Sequence, residues 1–229
     1  MKKLLKYEII VIIIIATIFL GINLYVRIYI NKQIYFFKTI PHKQYSNSDF
    51  NIETYTSSID KDNDGIDDQT DILNNVRIYI AKEPKYKSKY YGTGYPDDEY
   101  GVCTDVVANG LKNAGYDLME LVNKDIINNE EEYNIEVIDK NIDFRRVRNL
   151  DVYFKNNSIS LTQDLSQIEE WQGGDIIVFK DHIGIISDKR NEKGIPFLIH
   201  HANPVQVNYE EDVLELYGQD YIIGHYRIS

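Results

Sequence analysis

The chain has 229 residues, 43% hydrophobic and 27% charged, which suits a globular protein with one sizeable domain and additions. Its 25 basic and 36 acidic residues give a formal charge of −11, which excludes nucleic acid as a natural partner because phosphate binding needs basic surface. A lone cysteine, Cys103, excludes an internal disulfide.

Residues 1–8 read as a cytoplasmic tail and residues 9–28 as a transmembrane anchor. The run IIVIIIIATIFLGINLYV, Ile9 to Val26, has Asn23 as its one strongly polar residue and nearly spans a bilayer as a helix. Lys2, Lys3 and Lys6 precede it, so the tail is expected inside the cell membrane and the rest outside. A cleaved signal peptide is the alternative, but no small-x-small site follows the run. Residues 1–8 hold three Lys and one Glu, so the remainder has 22 basic and 35 acidic residues, a charge of −13.

Residues 29–56, rich in Tyr, Lys, Asn and Ser, read as a stalk. Residues 57–84 hold an acidic loop and a helix, and residues 85–229 form the main domain. The loop DKDNDGIDDQTD has the spacing of an EF-hand. Asp60, Asp62 and Asp64 take the first, third and fifth positions, and Gly65 the tight turn. Ile66 offers a carbonyl at the seventh, Asp68 stands at the ninth and Asp71 at the twelfth. A structural Ca2+ is the expected cofactor; a solvated acidic turn is the alternative.

A helical pattern, ILNNVRIYIAKEP, follows and ends near Pro84, and KYKSKYYGTGYPDDEYG reads as a loop. From Thr104 the residues Val107, Leu111 and Ala114 recur at helical spacing, with Gly115 suited to the stop. FRRVRNLDVYFKNN holds a second helix, with Val147, Leu150 and Phe154 on one face. DIIVF, HIGIIS, PFLIHH and YIIGHYRI read as strands split by turns at Lys180-Asp181 and DKRNEKG. Helices before an antiparallel meander give the class α+β.

Cys103 stands where the helical pattern begins. A helix N-terminus favours the thiolate, and such a nucleophile needs a base, normally His, with an orienting partner. Of five histidines, His182 opens a strand, His200 and His201 end another, and His225 lies near the C-terminus. Adjacent strand residues face opposite ways, so one of His200 and His201 points toward His182. Asp105 in the first helical turn suits the dipole. Arg146, within the cluster Arg145, Arg146 and Arg148, is a candidate for gripping a substrate carboxylate; pairing within the chain is the alternative.

GVCTDVVANGLKNAG, GDIIVF, HIGIIS and FLIHHA, in that order, resemble the NlpC-type cell-wall cysteine peptidases, which have a papain-like fold. YPDDEYGVCTDVV, NIDFRRVRNL, WQGGDIIVF, HIGIISDKR and GHYR resemble the YijF-like proteins, a bacterial family of unknown function. The resemblance covers about residues 72–229. It implies Cys103 as nucleophile, His182 as base and His200 as third residue, with His201 the fallback. It also implies an active-site tyrosine at Tyr91, twelve residues before Cys103, with Tyr90 beside it. Phe144 stands where the YijF-like pattern often has His, so that position is not expected to be catalytic.

The expected protein is a membrane-anchored extracytoplasmic cysteine peptidase or amidase acting on cell-wall peptides or another amide. The alternatives are a non-catalytic, calcium-dependent envelope-binding module and an acyltransferase on the same fold.

Overall fold

The computed structural model describes residues 16–25 and 43–228. The chain divides into two units, residues 1–41 and 42–229. In the first, residues 16–25 are helical with exposed side chains. Among the described residues no helix is long and apolar enough to cross a membrane. The tail, the rest of the expected anchor and stalk residues 29–42 lie outside the described residues.

In the second unit the longer helices are α1 (Asp68–Ile80), α2 (Cys103–Asn113), α3 (Leu118–Asn128) and α4 (Val147–Asn157). Asp67 caps α1 by accepting the Thr70 N–H, and Asp117 caps α3 by accepting the Met119 N–H. Leu118, Val122 and Ile126, at every fourth position, bury the inner stripe of α3. Within the stretch expected as loop, β1 (Lys85–Tyr86) and β2 (Tyr100–Gly101) form a short parallel ladder.

The main sheet is antiparallel. Its strands are β3 (Ile159–Ser160), β4 (Ile176–Phe179), β5 (Ile183–Arg190), β6 (Pro196–Ile199), β7 (Glu210–Glu211) and β8 (Ile222–Arg227). They lie in the order β3-β8-β4-β5-β6-β7. The first three expected strands, β4, β5 and β6, run as a meander, but the short β7 takes the place beside β6, and the fourth expected strand, β8, returns to pair with β4. The class is α+β.

Side chains alternate between two cores. Ile176, Val178, Ile183, Ile185, Ile199 and Tyr226 face α1, α2 and α4. Ile177, Phe179, Ile186, Leu198 and Ile222 pack with Leu165, Trp171 and Leu214. Coverage on both faces explains why β4 is apolar at every position instead of alternating.

A buried polar knot joins the layers. Asp175 accepts from Arg227 Nε at 2.7 Å and Nη2 at 2.8 Å, from Gln69 Nε2 at 2.9 Å and from the Gln172 N–H at 2.8 Å, with His225 Nε2 at 3.1 Å. His225 also stacks on Trp171, rings 3.8 Å apart. These contacts make His225 a structural residue, and Phe144, buried against Tyr95 at 4.8 Å, is another.

Residues 43–56, expected in the stalk, belong to this unit. The backbones of Tyr45 and Arg190 exchange bonds of 2.9 and 2.8 Å, and buried Asn47 accepts from Arg190 Nε at 2.6 Å. A buried guanidinium needs acceptors, and this polar segment supplies one.

Helices α1 and α2 approach closely at Gly110, where an added Cβ would lie 2.2 Å from Val76 Cγ2. Gly110→Ala is expected to overpack this contact and cost about 1–3 kcal/mol. Urea unfolding of the two proteins measures it.

Candidate active site

The fold brings the start of α2 to the start of β5 and the end of β6. Cys103 is the first residue of α2, after an extended Val102, and is half-buried. The backbone N–H groups of Ile183 and Thr104 act on its sulfur. Ile183 directly follows His182, so the thiol lies at the point where His182 enters β5.

His182 Nε2 is 2.8 Å from His200 Nδ1, and His200 Nε2 is 3.1 Å from Glu211 Oε2. All three side chains are buried. A carboxylate only accepts, so His200 carries its proton on Nε2 and accepts the Nε2–H of His182 on Nδ1. His182 Nδ1 then holds the lone pair needed to take a thiol proton. The sheet register builds this chain: β7 pairs with β6 through Leu198↔Glu211 and Ile199↔Glu210, and the His200 N–H donates to the Tyr209 carbonyl at 2.8 Å.

The thiol is not in the state that its helix position suggests. Burial pushes it up to about 11, against the pull of the Ile183 and Thr104 N–H groups, and the Asp105 charge adds to the rise. Burial, then His200 and His201, pushes His182 down to about 3. Near neutral pH the thiol and the imidazole are therefore both uncharged.

Aromatic rings surround it. The Tyr86 and Tyr217 phenols both lie within electrostatic reach of Cys103. The Tyr217 ring lies 5.9 Å from the His182 ring at 18°. His201 stands edge-on to Tyr86 at 5.2 Å and packs on Tyr209 at 5.0 Å, with its buried Nδ1 unpartnered. Of the two adjacent histidines, His200 joins His182 and His201 lines the flank.

Residues 73–228 match the family model described as "Domain of unknown function (DUF1287)". The chain belongs to the DUF1287 family. Similar to it is the "Uncharacterized protein YijF" of Escherichia coli (strain K12), 34% identical over 154 residues, covering 63% of this chain and 72% of that protein. No solved structure matches the chain. The DUF1287 region holds Cys103, His182, His200 and Glu211, and the acidic loop precedes it.

Other expected site residues have different places. Tyr91 is buried, its hydroxyl donating to Asp98 at 2.7 Å, and Arg145 lies 5.0 Å over its ring. Tyr90 is exposed and donates to Asp139 at 3.0 Å. Arg146 is half-exposed and lies 3.5 Å from Asp143. The buried arginine is Arg145. Its Nε and Nη2 donate to both oxygens of Asp105 at 2.7 and 2.8 Å, and its Nη1 to the Lys89 carbonyl at 2.6 Å. Asp105 also accepts the Val102 N–H at 2.9 Å, which fixes the turn into Cys103.

In the acidic loop, oxygens of Asp60, Asp62 and Asp64 lie within 4.8 Å of one another. The Ile66 N–H donates to Asp64 at 2.8 Å, which holds the turn after Gly65. Asp68 does not join them. It is buried, accepting the Lys61 N–H at 2.7 Å and the Tyr116 hydroxyl. The Tyr116 hydroxyl, past the end of α2, holds this carboxylate, so Asp68 serves as a strut and stands apart from the three-carboxylate group.

Glu211 and Tyr86 are the residues that the sequence reading missed, while Arg145, named in the basic cluster, takes the pairing within the chain that stood as the alternative. Glu211 carries no local signal, because only strand pairing brings it to His200.

Breaking a buried ion pair leaves one charge unpaired. Arg145→Met is expected to cost about 3–5 kcal/mol, and exposed Arg146→Met within about 0.5 kcal/mol, both by urea unfolding. A second expectation concerns pH. His182 and His201 are held down to about 3 and about 4 from 6.5, so the unfolded chain binds more protons between those values. Their contribution is complete above about pH 6.5, falls progressively as pH drops below it, and is gone once pH has passed the folded values. Unfolding midpoints at pH 7 and pH 4.5 test this; an equal or higher midpoint at pH 4.5 would contradict it.

Proposed function

We propose that the chain is a cysteine hydrolase, a peptidase or amidase of papain-like type acting on cell-wall peptides outside the membrane. One observation carries the reading: a buried His182–His200–Glu211 chain beside a thiol at a helix start. Packing alone gives no reason to bury two histidines and a carboxylate in line. The order of Cys, His and His along helix and strands, and the resemblance to NlpC-type enzymes, support the substrate class. The apolar run after Lys2, Lys3 and Lys6 supports export with an anchor.

His182 Nδ1 takes the Cys103 proton as Sγ attacks the amide carbonyl. The oxyanion meets the Cys103 backbone N–H at the positive end of α2. The C–N bond breaks, His182 returns the proton to the leaving amine, and a thioester remains. Water then attacks with His182 again accepting its proton. The carboxylic acid leaves and Sγ regains the proton. Glu211 and His200 hold the imidazole in the tautomer that this sequence needs.

A neutral resting pair sets the pH dependence. His182 accepts a proton only when neutral, and its pKa lies far below the ordinary range. kcat/KM is expected to hold its value well below pH 6.

Digestion of purified cell wall tests the reading. New amino groups are expected with the wild type. Cys103→Ser should release none, and His182→Ala should lower the rate by about 10²–10⁴-fold. Undiminished release by Cys103→Ser, or none by the wild type, would overturn it. An amine acceptor consumed in place of water would make the same acyl-enzyme a transferase.

A further inference from the structure

The acidic loop carries a second site, independent of Cys103. Asp60, Asp62 and Asp64 hold their oxygens within 4.8 Å of one another while half or fully exposed. The Asp64 and Gly65 N–H groups donate to Asp60 at 3.1 and 2.9 Å, curling the loop so that the carboxylates converge. Gly65 adopts φ +93°, which favours glycine at this turn.

Such a cluster is not a site by itself. The deciding observation is Asp71. This residue is 6% exposed, and its Oδ2 is fully buried with no hydrogen-bond partner. An orphaned carboxylate oxygen inside a protein is costly unless something binds it. The Asn75 side chain bonds to Asp71, while the negative charges of Asp62 and Asp64 act on it. Asp71, at the twelfth position of the loop, thus lies within electrostatic reach of the exposed cluster. Four carboxylates with no cation among them repel, and a hard divalent ion takes oxygen ligands of this kind.

We infer that Asp60, Asp62, Asp64, Asp71 and the Ile66 carbonyl form a Ca2+ site that fastens the start of α1 to the rest of the unit. Asp68 is the mechanical link. It ties the Lys61 N–H and the Tyr116 hydroxyl together, and Lys61 packs on Gly115 just past the end of α2. Closing the loop around an ion therefore tightens the helix pair that carries the Cys103 helix. With no ligand at the ninth position and the shorter Asp at the twelfth, affinity falls in the range of extracellular modules, about 10⁻⁴–10⁻³ M. Mg2+ demands a tighter octahedron and fits this flexible loop poorly.

The test uses the full chain in detergent micelles, stripped with EDTA and titrated with CaCl2 in a calorimeter. One site is expected, with a melting-temperature rise of about 3–6 °C at about 10 mM Ca2+. The Asp62→Asn, Asp64→Asn double variant, altered only at exposed positions, should fold and lose the rise. Asp71→Asn should melt in EDTA no lower than the wild type, because it removes a crowded charge, and should also lose the rise. No binding heat in the wild type, an equal rise with MgCl2, or a full rise in Asp71→Asn would overturn the inference.

Discussion

The paired oxygens of Asp105 and the fork of Arg145 form the contact on which the rest of the site depends. The pair lies at the first turn of α2, almost wholly buried. Asp105 holds the Val102 N–H, so the helix begins at Cys103 and not a residue earlier or later. Arg145 reaches on to the Lys89 carbonyl and binds the loop from α1 to α2 in place. One ion pair thus fixes the thiol, the helix start and the segment leading into α4. Two buried charges are an expensive way to hold a turn, and they persist here because each finds several partners.

Around that anchor the site resolves a conflict between two physical effects. A helix N-terminus favours the thiolate, and burial opposes it. Burial wins, for the thiol and for the imidazole. A neutral pair is not a handicap if the base is aligned, because the proton then moves during attack. Alignment is what His200 and Glu211 provide. Each ring nitrogen of His200 has one role, and the carboxylate at the end of the chain decides both.

Much of the fold is legible in the sequence. The β-rich runs, the turn residues and the helical spacing after Thr104 lead to the antiparallel sheet and to α2. The spacing of Leu118, Val122 and Ile126 behind Asp117 carries a signal for α3 that the reading passed over. The ladder of Lys85–Tyr86 with Tyr100–Gly101 is too short for any period to show. In the site, Cys103, His182 and His200 can be nominated from local pattern. Glu211 cannot, because its role depends on strand pairing across a loop. Arg145 and Arg146 are neighbours in one basic run, and only the turn before α4 decides which is buried. Asp68 and Asp71 both fall in the register of a cation loop, and only the contact with Tyr116 turns Asp68 away.

The central claim is that His182 serves Cys103 as a base from a neutral resting state. The rate of Cys103 alkylation by iodoacetamide, followed from pH 4 to pH 10 in the wild type and in His182→Ala, tests it most directly. The expected wild-type profile has a component that is flat through neutral pH and at least about tenfold faster than in His182→Ala, which should rise only as the thiol itself ionises. Coincident profiles would contradict the account and leave Cys103 as a packing residue.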